Sequence, residues 1–194
     1  MANKSVSFNT KIYLAALLGL SSLAAVAQTA TAPSPAPKGE IIGSAWVHTA
    51  ESLLASAQQA DVVLPAKATG GAIFKGKLKD IPKLSGGKVP VVVFMHGSSG
   101  LALKAIGEWQ QWLAGLGYAS VAPDSFSLPN RVTYKSPIDV DSYERVHALR
   151  GSEIAPTVQA LKSQTWVDAG QLILAGTSEG SVPVAQYMGT EFMA

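Results

Sequence analysis

The residues best suited to chemistry lie within Gln171 to Gln186, QLILAGTSEGSVPVAQ. Ser178 stands between Gly176 and Gly180, two residues from each. Before it, Leu172, Ile173, Leu174 and Ala175 form a short apolar run, the pattern of a strand covered on both faces. A serine on a tight strand-to-helix corner takes up a strained backbone conformation, and the chain passes close on both sides. Glycines two positions away remove the clashes that side chains would cause. The corner lifts the hydroxyl clear of the sheet and turns the first N–H groups of the helix toward the same space, which favours developing negative charge. The chemistry this predicts is nucleophilic attack by Ser178.

A serine hydroxyl is a weak nucleophile at neutral pH and needs a base within hydrogen-bond reach. The chain holds three histidines, His48, His96 and His147. His96 opens a second Gly/Ser-rich segment, His96-Gly97-Ser98-Ser99-Gly100, and reads as a brace for that loop. His147 reads as a half-exposed helix residue, and His48 falls in a segment without a clear assignment. None is a convincing base. Only Glu179 and Glu191 offer a carboxylate after Ser178, and Glu179 reads as a solvated first-turn acid complementing the helix dipole. Asp124, at a strand end, reads as a turn or cap residue, with a place on the rim of a site as the alternative. Trp109 and Trp112 read as core and rim of an amphipathic helix. No metal-ligand cluster and no dinucleotide-binding glycine fingerprint is present, so no cofactor is expected. The absence of cysteine excludes disulfides and a thiolate nucleophile.

The elements that must position these residues follow from pattern. Ala45 to Ala60 is compatible with a helix or with a strand and then a helix. Asp61 to Pro65 and Ala72 to Ile81 read as an antiparallel hairpin around Thr69-Gly70-Gly71, the second strand an exposed edge guarded by lysines. Val89 to Met95, VPVVVFM, is the strongest strand and is expected to be buried on both faces. Leu103, Ile106, Trp109, Leu113 and Leu116 recur at helical spacing, and Tyr118 to Ala122 reads as the next strand. Ser125 to Asp139 reads as a polar loop. A helical region follows from about Asp141 to Lys162, with a break near Gly151-Ser152 or Pro156. Alternation of strand and helix from Val89 onward predicts an α/β fold: a mostly parallel sheet with helices on both faces.

Lys4 and Lys11 precede an uncharged run, Ile12 to Val26, ending in Ala25-Val26-Ala27. This pattern predicts a cleaved export signal over 1–27 and a periplasmic or secreted protein starting at Gln28. It leaves no stable membrane anchor once the signal is cleaved. Gln28 to Lys38, QTATAPSPAPK, reads as a Pro/Ala/Thr-rich linker, and 39–194 as the folded domain. The signal takes two lysines and no acid, so the remaining basic residues equal the 13 acidic ones. Nothing in that balance suggests a nucleic-acid partner.

FMHGSSG after one strand and LAGTSEG after another give the stretch from about Asp61 to Met188 its resemblance to the dienelactone-hydrolase-like branch of the α/β-hydrolase superfamily. The resemblance implies a nucleophile elbow at Ser178 and an oxyanion hole made by the backbone amides of Ser98 and Glu179. His96, Gly97, Gly176 and Gly180 would shape the supporting loops. It implies hydrolysis of an ester or related small acyl substrate. Two features differ from the family. Dienelactone hydrolases proper carry cysteine where Ser178 stands, which favours a serine esterase. The order nucleophile, acid, histidine also finds no histidine after Ser178, and the last strands of the fold are expected to be missing after the elbow helix. The alternative reading is therefore a non-catalytic, truncated remnant or binding module that lacks the triad acid and base.

Overall fold

The structure, a computed structural model, describes residues 38–194. The signal expected over 1–27, and the linker up to residue 37, lie outside the described residues. A short strand β1 (Glu40–Ile42) comes first, then helix α1 (Ala50–Gln58). Thr49 decides the segment that pattern left open, because its hydroxyl accepts from the Ser52 amide at 3.2 Å and starts the helix there. β2 (Asp61–Leu64) and β3 (Phe74–Lys77) form the expected antiparallel hairpin, with a one-turn helix α2 (Ala66–Thr69) in the connection.

Strand β4 (Val89–Met95) leads through the HGSSG loop to helix α3 (Lys104–Gly115) and strand β5 (Ala119–Ala122). The polar stretch after β5 is less irregular than expected. It contains β6 (Thr133–Lys135), which pairs antiparallel with β1. The long helical region divides, as expected, into α4 (Val140–Ser152) and α5 (Ile154–Lys162). Pro156 sits in the first turn of α5, where its missing N–H removes no helical bond. Strand β7 (Val167–Gly176) and helix α6 (Ser181–Gln186) complete the corner. Pairing of β7 with β4 breaks after Val167 and resumes at Leu172, because Asp168 Oδ1 accepts from the Gly170 amide and turns the chain aside.

The main sheet has the order β3-β2-β5-β4-β7. β4 runs parallel to β5 and β7, while β2 runs antiparallel to both β3 and β5. Four of the five strands therefore point one way, and helices cover both faces, which is the expected fold class. Alternation along β4 shows the layers. Val91, Val93 and Met95 pack with Ile154, Val158 and Leu161 of α5 and Ala57 of α1. Phe94 points to the other face and meets Ile106 and Trp109 of α3. The α3 periodicity is narrower than expected, since Leu103 and Leu116 are exposed, and Trp112 is 59% exposed.

Among the described residues, β7 lies at an edge of the sheet, with β4 as its neighbour. Residues 187–194 form neither helix nor strand, yet their last part reaches back to β7. Met193 N–H donates to the Leu172 carbonyl and Leu174 N–H to the Ala194 carbonyl, both at 2.8 Å.

Candidate active site

Because β4 and β7 are parallel neighbours with Met95 opposite Gly176, their following loops leave the sheet side by side. The Thr177 amide donates to the Met95 carbonyl at 3.1 Å and fastens the two together. Ser178 is exposed, with φ at +51°, a left-handed conformation that a serine adopts only under constraint. The constraint is visible around it. A Cβ on Gly97 would lie 2.9 Å from the Ser178 Cβ, and one on Gly176 would lie 2.5 Å from the Gly180 carbonyl oxygen. A Cβ on Gly180 would overlap the backbone carbonyls of Met95 and His96. The three glycines are places where two chain segments touch.

Ser178 Oγ has no hydrogen-bond partner among the described residues and opens onto a cleft of about 360 Å³. Ser98, Ser99 and Thr177 edge it, and Phe94, Leu103, Ala105, Ile106 and Trp109 form an apolar wall without a charged side chain. Trp109 lies against Phe94, ring centroids 4.9 Å apart. The amides of Ser98 and Glu179 find no acceptor among the described residues.

Behind the corner is a different environment. The Glu179 side chain is 1% exposed, which corrects the expectation of a solvated acid. Its Oε1 accepts from Arg131 Nη2 at 2.6 Å and lies 3.8 Å from Arg150 Nη1. Arg131 also donates from Nε to Ser125 Oγ at 2.6 Å, and Ser125 Oγ–H donates to Glu153 Oε1. Arg150 Nε lies 3.6 Å from Glu153 Oε2. Two arginines and two glutamates thus balance in a buried cluster. Burial pushes the Glu153 carboxyl up against the opposing pull of Arg150. Burial and the Glu179 carboxylate push the neighbouring Tyr134 hydroxyl up to about 12.

His96 belongs to this buried side. Its Nδ1 lies 2.7 Å from the Gly97 carbonyl, which can only accept, so Nδ1 carries the proton. Nε2 accepts from the Ser125 amide at 3.1 Å, with Arg150 Nη1 at 3.3 Å. Burial, followed by the Arg150 charge, pulls its pKa down to about 4. Both ring nitrogens are engaged away from Ser178, in keeping with a brace. Asp124 serves as the expected cap, accepting from the Phe126 amide at 3.0 Å, and it lies 4.0 Å from His96 Nε2. His147 stacks on Tyr143 along α4. Burial and the Arg131 charge lower the pKa of His48. No described histidine hydrogen-bonds to Ser178.

Pattern reading missed Arg131, Arg150, Ser125 and Glu153. Arg131 was hidden in a loop that reads as featureless polar chain. The signal for Glu153 was its position at the helical break, where a turn of backbone directs it inward.

No family model and no curated protein matches the chain. Among solved structures it is similar to DcsB in complex with its substrate analogue, at 19% identity and a TM-score of 0.41, covering 68% of this chain and 42% of that one. It is also similar to P91, a dienelactone hydrolase-like promiscuous phosphotriesterase from metagenomic libraries, at 18% identity and a TM-score of 0.38, covering 72% and 48%. With m3DLH it shares 33% identity at a TM-score of 0.32 over 47% of this chain and 39% of the other. The chain spans less than half the length of each of these structures.

Proposed function

We propose that the described domain carries the nucleophile half of a serine hydrolase acting on esters or related acyl compounds. The observation that supports it best is Ser178 itself: exposed, at φ +51°, and directed to an apolar cleft beside two amides that have no acceptor. In this reading Ser178 Oγ bonds to the acyl carbon, and the carbonyl oxygen, now an oxyanion, takes the Ser98 and Glu179 N–H groups. The alcohol leaves with the serine proton, and water cleaves the acyl-serine to release the acid. The uncharged wall of Phe94, Ile106 and Trp109 suits an apolar acyl or alkoxy group. No described residue is assigned as base.

The test is reaction of the purified chain with a serine-directed fluorophosphonate, with 4-nitrophenyl butyrate hydrolysis in parallel. Stoichiometric labelling that Ser178→Ala abolishes is expected. Failure of Ser178 to label under conditions where the chain is folded overturns the reading.

The free Ser178 Oγ favours a second reading, a cleft that binds apolar acyl compounds without turnover. Saturable binding of 4-nitrophenyl butyrate with no release of nitrophenol is its signature. Export belongs to the same proposal, with residues 1–27 as the signal. A mature N-terminus at Gln28, read by N-terminal sequencing of exported protein, is the expected result.

A further inference from the structure

The two loops that meet at Ser178 share a construction. The Gly97 carbonyl accepts from the Gly100 amide at 3.0 Å and from His96 Nδ1–H at 2.7 Å. The Ser178 carbonyl accepts from the Ser181 amide and from Ser181 Oγ–H, the latter at 2.6 Å. Each carbonyl has one backbone donor and one side-chain donor. Gly97 C=O shares a planar peptide with Ser98 N–H, and Ser178 C=O shares one with Glu179 N–H. In a trans peptide the two groups point in opposite directions. A carbonyl tied from behind therefore fixes the direction in which its N–H is presented. Donors on the oxygen also polarise the peptide and strengthen its N–H as a donor, by roughly 10–30% per bond.

We propose that His96 and Ser181 are positioning residues that aim and polarise the Ser98 and Glu179 amides through the carbonyls of the same peptides. This rests on the reading of those amides as oxyanion donors and adds the residues that set them. Neither side chain needs to touch substrate. The two devices are also joined. The Ser125 amide donates to His96 Nε2, Ser125 Oγ accepts from Arg131, and Arg131 donates to Glu179 Oε1. One continuous chain of hydrogen bonds thus runs from the Gly97–Ser98 peptide to the residue that supplies the second amide. The tautomer of His96 is fixed by its partners: the Gly97 carbonyl requires a proton on Nδ1, and the Ser125 N–H requires a lone pair on Nε2.

The test uses the ¹⁵N-labelled full chain modified with a fluorophosphonate. In the reaction the Oγ–P bond forms, fluoride leaves, the serine proton passes to buffer, and the phosphonyl oxygen stands in for the oxyanion. In the unmutated protein the Ser98 and Glu179 amide protons should both move downfield on modification. Ser181→Ala should reduce the Glu179 movement, leave that of Ser98, and slow labelling about three- to tenfold, the worth of one neutral hydrogen bond. His96→Phe should reduce the Ser98 movement, and His96→Asn, which restores an N–H donor near the Nδ1 position, should recover it. A merely structural role would not separate the two amides in this way. Equal amide movements and equal labelling rates across the variants overturn the inference while leaving Ser178 as nucleophile. Absence of labelling in the unmutated chain overturns the Ser178 reading and the inference together. Ser181 is exposed, so its substitution keeps half of the test intact even where His96→Phe fails to fold.

Discussion

Ser178 and Glu179 are neighbours in the chain and occupy opposite environments. Ser178 faces an open apolar cleft, strained and without a hydrogen-bond partner among the described residues, whereas the Glu179 side chain is 1% exposed and held by two arginines. One turn of backbone delivers a hydroxyl to one side and an anchor to the other. The difference shows how a corner with a positive φ at a residue with a side chain can persist. The strain at Ser178 amounts to roughly 1–3 kcal/mol, less than the roughly 3–5 kcal/mol that pulling the next residue out of its buried ion pair would cost.

The comparison can be broken by removing the anchor. Glu179→Ala leaves Arg131 and Arg150 buried with less countercharge, and a loss of about 3–5 kcal/mol in urea unfolding is expected. A loss below about 1 kcal/mol would mean that the cluster is wetter than its burial indicates.

Of the cleft and the buried cluster, acid should act on the cluster. Burial and the Arg150 charge hold the folded pKa of His96 at about 4, below its ordinary 6.5, so the unfolded chain binds the proton first. Its contribution is complete above pH 6.5 and is lost as pH falls from there toward 4, on the order of 3 kcal/mol in all. Glu153, raised by burial, works in the opposite sense above its ordinary range. Comparing unfolding midpoints of the unmutated protein and His96→Asn between pH 7 and 4 isolates the histidine, whose share of the slope should vanish in the variant.

Gly180→Ala drives a methyl group into the carbonyls of Met95 and His96 and should cost about 1–3 kcal/mol in the same assay. Ser178→Gly relieves the left-handed strain and should raise stability by about 1 kcal/mol while abolishing labelling. Opposite signs at residues 178 and 179 would sharpen the contrast between site and anchor. At the wall of the cleft the expected effect is on substrate preference rather than stability. Trp109→Ala should lower the preference for hexanoate over acetate nitrophenyl esters, or over their fluorophosphonate equivalents, by about tenfold with little change for acetate.

Much of this arrangement was legible in the residues. The apolar runs of β4 and β7 set the parallel pair, and Gly176 and Gly180 signalled close approaches that the corner contains. His96 was read as a brace from its place in the HGSSG motif, and both its ring nitrogens are hydrogen-bonded within the protein. The polar cluster was not legible, because its members come from the loop after β5, from the α4–α5 junction and from the corner itself. Only the fold brings Ser125, Arg131, Arg150, Glu153 and Glu179 together, and no local period marks them. Glu179 was misjudged for the same reason, since first-turn acids usually face water and nothing nearby in sequence announces two arginines. The pairing of β1 with β6 joins residues that lie far apart along the chain, so short-range pattern was silent there too.

The two borders of the sheet are treated differently. β3 shows lysines to the solvent, Lys77 held by Asp61 at 2.5 Å, and like charges discourage another strand from adding there. β7 has no such guard; its outer backbone is met only by Met193 and Ala194, through two hydrogen bonds. Whatever peels that short segment away exposes a template for strand addition on the strand that leads into Ser178. Self-association of the protein is thus expected to begin at the strand that leads into the Ser178 corner.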